Sequence, residues 1–215
     1  MRLIKDNSTL LWRFFVNHIG MMILGCLLST VGAEYDNIFL FMSIFNICFY
    51  MALVYIAGWD QGAKDVIRAD AGRIPRRPWL GFLISAASSF VTVFLLLLLV
   101  VGYLFGYGLT STDLGMGIFG IARIIIGFWQ APYLGVCNTV LSTLLEGNEG
   151  IVSYYIFGSL VSQSTYYLAL VFFYLLSLLP AILCSGVGYL FGYRNFRIFA
   201  FGGNKNAKKP SDKRH

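Results

Sequence analysis

Residues 79–107 decide the fold: they read WLGFLISAASSFVTVFLLLLLVVGYLFGY and contain no charged side chain. A helix of about 20 apolar residues crosses the hydrocarbon core of a bilayer, and this stretch exceeds that length. Three further stretches qualify, at residues 11–33, 37–58 and 165–193. Pro180 lies in the last of them and predicts a kink, because proline removes one helical hydrogen bond. The sequence therefore predicts an all-α integral membrane protein with four transmembrane helices.

The composition agrees with a lipid environment. Apolar residues make up 58% of the chain and charged residues 12%, whereas about a quarter of the residues of a soluble domain are charged. The first apolar run, 14–33, follows a basic N-terminus as a signal peptide does. It is longer than the 7–15 apolar residues of a signal core, so we expect it to stay in the protein as the first span.

Basic residues predict the topology, because Lys and Arg collect in cytoplasmic loops. Of the 16 Lys and Arg residues, all but Arg123 fall into three groups: the N-terminus, the loop between the second and third spans, and the tail. The members of the groups are Arg2, Lys5, Arg13; Lys64, Arg68, Arg73, Arg76, Arg77; and Arg194, Arg197, Lys205, Lys208, Lys209, Lys213, Arg214. The remaining loops carry only acids, namely Glu34, Asp36, Asp113, Glu146 and Glu149. The sequence thus predicts a multi-pass protein of the cytoplasmic membrane with both termini inside.

Two inside ends require an even number of crossings. The apolar stretch 115–162, interrupted by Pro132, is therefore expected to be a re-entrant or outer-leaflet helical module. The alternative is a fifth span, which would place the basic tail outside. We divide the chain into a helical membrane domain, 1–194, and a basic cytoplasmic tail, 195–215. The tail is expected to bind anionic lipids, and since it accounts for most of the net charge of +6, no nucleic-acid partner is expected.

A seven-residue sequence occurs twice. VGYLFGY stands at 101–107 and again at 187–193, each time at the end of a long span. Inverted repeats are typical of transporters. The match does not extend upstream, however, and Gly-x-x-x-Gly is also the pattern that lets helices pack closely. The second interpretation is favoured.

The loop at 58–78 contains a candidate latch of alternating acids and bases. Its members are Asp60, Asp65, Arg68, Asp70 and Arg73. If the second helix continues into this loop, Asp60 and Lys64 form an i,i+4 pair and Gly72 ends the helix. A solvated loop that only anchors the topology, or a contact with a partner or with anionic headgroups, are the alternatives.

Asp70-Ala71-Gly72-Arg73 followed by Arg76-Arg77 resembles the loop between helices two and three of major facilitator transporters, where acids and bases latch the cytoplasmic helix ends. This chain has less than half the length of those transporters. The same loop together with residues 186–194 is similar to a group of small multi-span membrane proteins from anaerobic Gram-positive bacteria. That group has no assigned activity, so the resemblance implies a bacterial cytoplasmic membrane and no chemistry.

Arg123 is the candidate for ligand binding. It stands alone in the apolar run 118–129, where an arginine at mid-bilayer depth costs about 3 to over 10 kcal/mol, depending on the method. It is expected either to reach the interface, to pair with Asp113 or Glu146, or to bind an anionic ligand. Asn138 and Ser142 share a helix face nearby and are candidate ligand contacts, or else helix–helix hydrogen bonds. Asn17 and His18 are expected at the membrane interface.

Recognisable catalytic patterns are not found in the sequence. It contains no phosphate-binding glycine loop with its lysine, no Gly-x-Ser-x-Gly and no cluster of metal ligands, so we predict no catalytic residue, metal or cofactor. The expected function is a small component of a transport or cell-envelope system that binds a partner or solute, as a homo-oligomer or with a membrane partner subunit. A membrane enzyme acting on lipid or isoprenoid phosphates is the first alternative, and a structural or immunity-type protein without ligand is the second.

Overall fold

The structure is a computed structural model that describes residues 8–32, 36–109, 111–142, 154–156, 159–161 and 163–196. Four segments of it are helical, long and apolar enough to cross a membrane, which confirms the predicted multi-pass class. They are Ser8–Val31, Ile38–Asp70, Phe90–Gly108 and Tyr166–Tyr193. The basic tail from residue 197 onward, with its predicted lipid contacts, lies outside the described residues.

The first half of the chain forms three of these segments. Its elements are α1 (Ser8–Gly32), α2 (Asp36–Asp70), α3 (Leu80–Ser88), α4 (Phe90–Tyr103) and a π-helical turn (Leu104–Gly108). With 35 residues, α2 is about 52 Å long at 1.5 Å per residue. It therefore runs well beyond a hydrocarbon core of about 30 Å and continues past the predicted span, 37–58, into the loop that follows.

The second half contains the predicted module and the last span. Its elements are α5 (Asp113–Trp129), a 3₁₀ turn (Ala131–Tyr133), α6 (Leu134–Ser142), strands β1 (Tyr154–Ile156) and β2 (Ser159–Val161), α7 (Gln163–Leu176) and α8 (Leu178–Tyr193). Helices α5 and α6 are bent by 84° at their junction. At its end the module contains a short antiparallel hairpin, in which Tyr154 pairs with Val161. Aromatic and β-branched residues there favour a strand over a short helix.

The third and fourth spans are each broken by serine. Ser88 and Ser89 both donate their hydroxyls to the carbonyl of Ser85, at 2.7 and 3.1 Å, and Ser177 donates to the carbonyl of Tyr174 at 2.8 Å. Such hydrogen bonds back to the preceding turn bend helices. Ser177 lies three residues before Pro180, so the predicted irregularity occurs at the start of α8.

Two hydrophobic cores result from these breaks. The first core joins α1, α2, α3 and α8, and includes Phe14, Val54, Ile84 and Tyr189. The second core joins α4, α5, α6 and α7, and includes Leu99, Phe119, Leu141 and Leu170. Each broken span therefore has one of its halves in each core: α3 and α8 in the first, and α4 and α7 in the second.

Helices α2 and α8 run parallel to each other, and glycines allow their backbones to pack in direct contact. A Cβ atom on Gly58 would meet the Ser185 backbone, and one on Gly62 would meet the carbonyl of Tyr189. In return, Gly188 and Gly192 pack against the backbone of α2 at Tyr55 and Trp59. The second copy of VGYLFGY thus provides a close helix contact, as small-x-x-x-small patterns do.

Both ends of the described chain lie at one end of the bundle, here called the terminal end. Arg13 in α1 forms an ion pair of 2.7 Å with Asp60 in α2, and the Trp59 indole N–H donates to the carbonyl of Phe196 at 2.8 Å. The opposite end, which carries Tyr107 and Asp113, is called the distal end. The residues at both ends of the described chain therefore share one end of the bundle.

Candidate ligand cavity and inner-loop latch

Helix α5 starts at the distal end and packs antiparallel against α4. Thr112 caps it by accepting a hydrogen bond from the Gly115 amide at 3.2 Å, and the same hydroxyl donates to the carbonyl of Phe105 at 2.8 Å. Gly102, in the first copy of VGYLFGY, has no room for a side chain because its Cβ would lie 2.6 Å from the Phe119 nitrogen. This copy, too, provides a close helix contact.

The register of that contact sets the depth of α5. Gly102 faces Phe119, and the Trp129 indole N–H donates to the Thr92 hydroxyl at 2.8 Å. Along two antiparallel helices the residue numbers run in opposite directions. Four residues after Phe119 on α5 therefore lie opposite four residues before Gly102 on α4, so the backbone of Arg123 is level with that of Leu98. Because helical side chains lean toward the N-terminus of their helix, the Arg123 side chain extends toward the distal end.

The chain turns sharply after Trp129, deep in the bundle. Pro132 has no backbone N–H, and the last carbonyls of a helix lack partners within it. Side chains from α1 and α2 supply donors: His18 Nε2 lies 3.1 Å from the Trp129 carbonyl oxygen, and the Ser43 hydroxyl donates to the Pro132 carbonyl at 2.8 Å. The junction between α5 and α6 is therefore fixed by hydrogen bonds to the first two spans.

His18, which was predicted at the membrane interface, is enclosed by other parts of the protein. Its side chain is buried, with Nδ1 3.0 Å from the Tyr50 hydroxyl and its ring centroid 4.6 Å from that of Trp129. Since the Trp129 carbonyl can only accept, Nε2 carries the proton and Nδ1 accepts from Tyr50. Sequence patterns do not reveal this role because the partner carbonyl lies 111 residues away.

A cavity of about 530 Å³ lies between α5, α6 and α7. It is lined by Gly120, Arg123, Ile124, Gly127 and Phe128 of α5, by Leu134, Cys137, Asn138 and Leu141 of α6, and by Tyr166, Leu170 and Tyr174 of α7. Gly120 and Gly127 stand one turn before and one turn after Arg123, and a Cβ atom at either position would meet nothing closer than 3.7 Å. The missing side chains at these two glycines leave space beside the arginine.

Arg123 lies at the distal part of this cavity. Its side chain is solvent-accessible, and its guanidinium carbon stands 5.8 Å from the centroid of the Tyr167 ring. No ion pair to it occurs within the described ranges. Asp113 starts the same helix ten residues earlier, about 15 Å away along the axis, and Glu146 lies outside the described residues.

The two other sequence-predicted ligand contacts have different outcomes. Asn138 lines the cavity together with Arg123. Ser142 ends α6, and its side chain lies outside the described part of the structure. Sequence reasoning missed the aromatic wall of α7, Tyr166 and Tyr174, because its helical spacing is equally typical of a packed membrane helix.

The five predicted latch residues lie near or just beyond the end of α2. Asp60 pairs with both Arg13 and Lys64, the latter at 2.6 Å, so the predicted i,i+4 pair is present. Asp70 pairs with Arg76 at 2.8 Å. Exposed pairs of this kind contribute about 0–1 kcal/mol each.

Asp65 is different because its side chain is only 2% exposed. It accepts from Gln61 at 3.0 Å and from the Tyr189 hydroxyl at 2.9 Å, and the Arg68 guanidinium lies 3.5 Å away. Tyr189 belongs to α8, so this carboxylate connects the second span to the fourth at the terminal end.

Gly72 ends α2, as predicted. Its φ is +70°, a conformation that glycine adopts at no steric cost. The amide of Gly72 donates to the carbonyl of Ala69 and the amide of Arg73 to that of Arg68, both at 3.0 Å, which is the Schellman arrangement. Arg73 therefore contributes its backbone to the end of the helix, and its exposed side chain forms no ion pair within the described residues.

No protein-family model matches this sequence, and neither a curated protein nor a solved structure is similar to it.

Proposed function

We propose that this protein is a small component of a transport or cell-envelope system of the bacterial cytoplasmic membrane, and that it binds an anionic ligand in the cavity beside Arg123. A guanidinium without a counter-charge among the described residues, at one end of a 530 Å³ cavity, carries the proposal. An arginine at membrane depth without a counter-charge is costly, and an anion in the cavity would remove that cost. Asn138 would add a hydrogen-bond donor for the same group.

The positive-inside rule orients the bundle for this proposal. The N-terminus, the loop at the terminal end and the tail carry all of the Lys and Arg residues except Arg123, so the terminal end would face the cytoplasm. The cavity, which lies in the distal half, would then open in the outer leaflet. In that position it would receive ligands from the extracytoplasmic side or from the membrane itself.

Ligand-dependent stabilisation of the purified protein tests this function. Thermal unfolding is measured in a zwitterionic detergent with a panel of anions: phosphate, sulfate, acetate, dodecyl phosphate and dodecanoate. A ligand present at 100 times its dissociation constant stabilises by about 2.7 kcal/mol. At least one anion is expected to raise the unfolding temperature of the wild type by several degrees.

Two substitutions decide whether Arg123 is responsible. Arg123→Gln keeps a polar side chain without charge and is expected to abolish the stabilisation, whereas Arg123→Lys should keep part of it because it keeps the charge but loses the planar fork. The proposal is wrong if no anion of the panel stabilises the wild type more than it stabilises Arg123→Gln.

A membrane enzyme acting on lipid or isoprenoid phosphates is the second candidate, because the same guanidinium would hold the phosphate of its substrate. To separate the two candidates, the protein is incubated for a prolonged time with the phosphate ligand, and the ligand is then recovered. Mass spectrometry is expected to find it unchanged for a binding protein. If no anion stabilises the protein and none is turned over, the result would fit the structural or immunity-type alternative.

A further inference from the structure

We infer that the ligand of the Arg123 cavity is an anionic amphiphile that enters from the bilayer, with its charged group at Arg123 and its chain along the apolar part of the cavity. This inference rests on the proposed function and specifies the class of ligand. Two observations carry it. The charged group of the cavity lies toward one end, and one wall of the cavity is continuous with the lipid-facing surface.

The polar groups are concentrated toward the distal end. The Arg123 guanidinium lies over Tyr167 in the first turns of α7, and Tyr166 of the same turn lines the cavity. Helix α7 leads from there toward the middle of the bundle. A charged group held at this position would therefore lie on the headgroup side of the cavity, where water also reaches.

The opposite end of the cavity is mainly apolar, with the Tyr174 hydroxyl as a polar group in its wall. Leu134 and Gly127 stand there, and a Cβ atom on Gly127 would lie 4.0 Å from the Leu134 side chain and 3.7 Å from the Tyr174 hydroxyl. From this wall, inorganic phosphate would gain only a contact with the Tyr174 hydroxyl. A hydrocarbon chain would gain about 0.8 kcal/mol for each methylene removed from water, so the shape and the lining favour a ligand that has both parts.

One wall of the cavity is also part of the lipid-facing surface. Ile124 and Phe128 line the cavity and are 62% and 63% exposed in the absence of a membrane. An amphiphile already dissolved in the outer leaflet would thus reach Arg123 sideways, without leaving the hydrocarbon. The part of its chain that exceeds 530 Å³ would stay among the lipids.

Photocrosslinking in nanodiscs of zwitterionic lipid tests this inference. The probe is dodecyl phosphate with a diazirine at the end of its chain, and peptide mass spectrometry locates the adducts. Adducts are expected near Gly127, Leu134 and Tyr174, and unlabelled dodecyl phosphate should suppress them saturably. The matching dodecanol probe, which lacks the charge, should label the lipid-facing surface without saturation.

Three variants sharpen the result. Arg123→Gln should lower the saturable labelling about tenfold or more. Gly127→Leu should do the same, because its side chain fills the apolar end. Gly117→Leu is the matched control: it lies on the same helix outside the cavity, a Cβ atom there meets nothing within 4 Å, and labelling should equal that of the wild type.

The outcomes separate the inference from the function on which it rests. If excess inorganic phosphate displaces the probe as well as dodecyl phosphate does, the ligand is a soluble anion, and the inference fails while the proposed function stands. Labelling that is spread over the surface and unchanged in Arg123→Gln also overturns the inference. If Arg123→Gln in addition leaves the thermal stabilisation by anions unchanged, the proposed function fails with it.

Discussion

The carboxylates near the end of α2 differ more in burial than in partners. Asp60 and Asp70 are 39% and 57% exposed and lie in the screened environment of a surface, where ion pairs contribute little. Asp65 is 2% exposed, so each donor that it loses leaves a charge that water cannot reach. We therefore expect the strength of the contact between α2 and α8 to depend on Asp65 and its donors rather than on the more numerous surface pairs.

Replacing Tyr189 by phenylalanine tests this at a single atom. Tyr189→Phe removes the donor to Asp65 and keeps the ring, and we expect a loss of about 1–3 kcal/mol in the free energy of unfolding. Tyr193→Phe is the control, because the buried Tyr193 hydroxyl has no partner within the described structure, so its removal should cost nothing. Chemical denaturation followed by circular dichroism measures both. Equal losses would show that the hydrogen bond to Asp65 is not the cause.

At the scale of the helices, close approach depends on glycine at a few positions. Where α2 crosses α8, each helix has a glycine that lies against the backbone of the other: Gly62 in α2 and Gly188 in α8. Overpacking of such a contact typically costs 1–3 kcal/mol. Where a helical glycine has open space around it, its replacement by alanine is expected to stabilise the protein, since alanine is the better helix former by about 1 kcal/mol.

Two alanine substitutions distinguish these cases. Gly62→Ala would place a methyl group against the Tyr189 carbonyl and is expected to destabilise the protein by about 1–3 kcal/mol. Gly20→Ala in α1 has nothing within 4 Å and should be neutral or stabilising. The melting temperatures of the two variants in detergent provide the comparison, and a destabilised Gly20→Ala would argue against this reading of the contacts.

For the whole molecule, the packing fixes which segments share an end, and the basic residues indicate which end faces the cytoplasm. Cysteines introduced singly at Lys64, Asn195 and Asp113 test both points, in a background where Cys26, Cys48, Cys137 and Cys184 are alanine. A membrane-impermeant maleimide added to intact cells should label position 113 only, and positions 64 and 195 only after lysis. Labelling of 195 in intact cells would overturn the even-crossing topology.

Much of this architecture was predictable from patterns of residues along the chain. Apolar length predicted the four long helical segments, and Gly72 predicted the end of α2. What depends on contacts between distant residues was not predictable. The burial of His18 requires a carbonyl 111 residues away, and the cavity requires α7 to stand opposite two glycines that, in sequence, look like ordinary helix-packing positions.

The serine breaks have a mechanical consequence. Gly81 and Gly186 of the antiparallel α3 and α8 lie against Tyr189 and Phe82, a register that places Ser89 and Ser177 within about one helical turn of each other. The Trp129–Thr92 hydrogen bond places the α5–α6 junction near the same plane. The third span, the fourth span and the α5–α6 pair are therefore all interrupted at about the same level, while α1 and α2 continue through it. A bulky occupant of the cavity would therefore be accommodated by movement of α5 and α6 and of the halves of the broken spans that pack against them, with the change in direction taken up at these breaks.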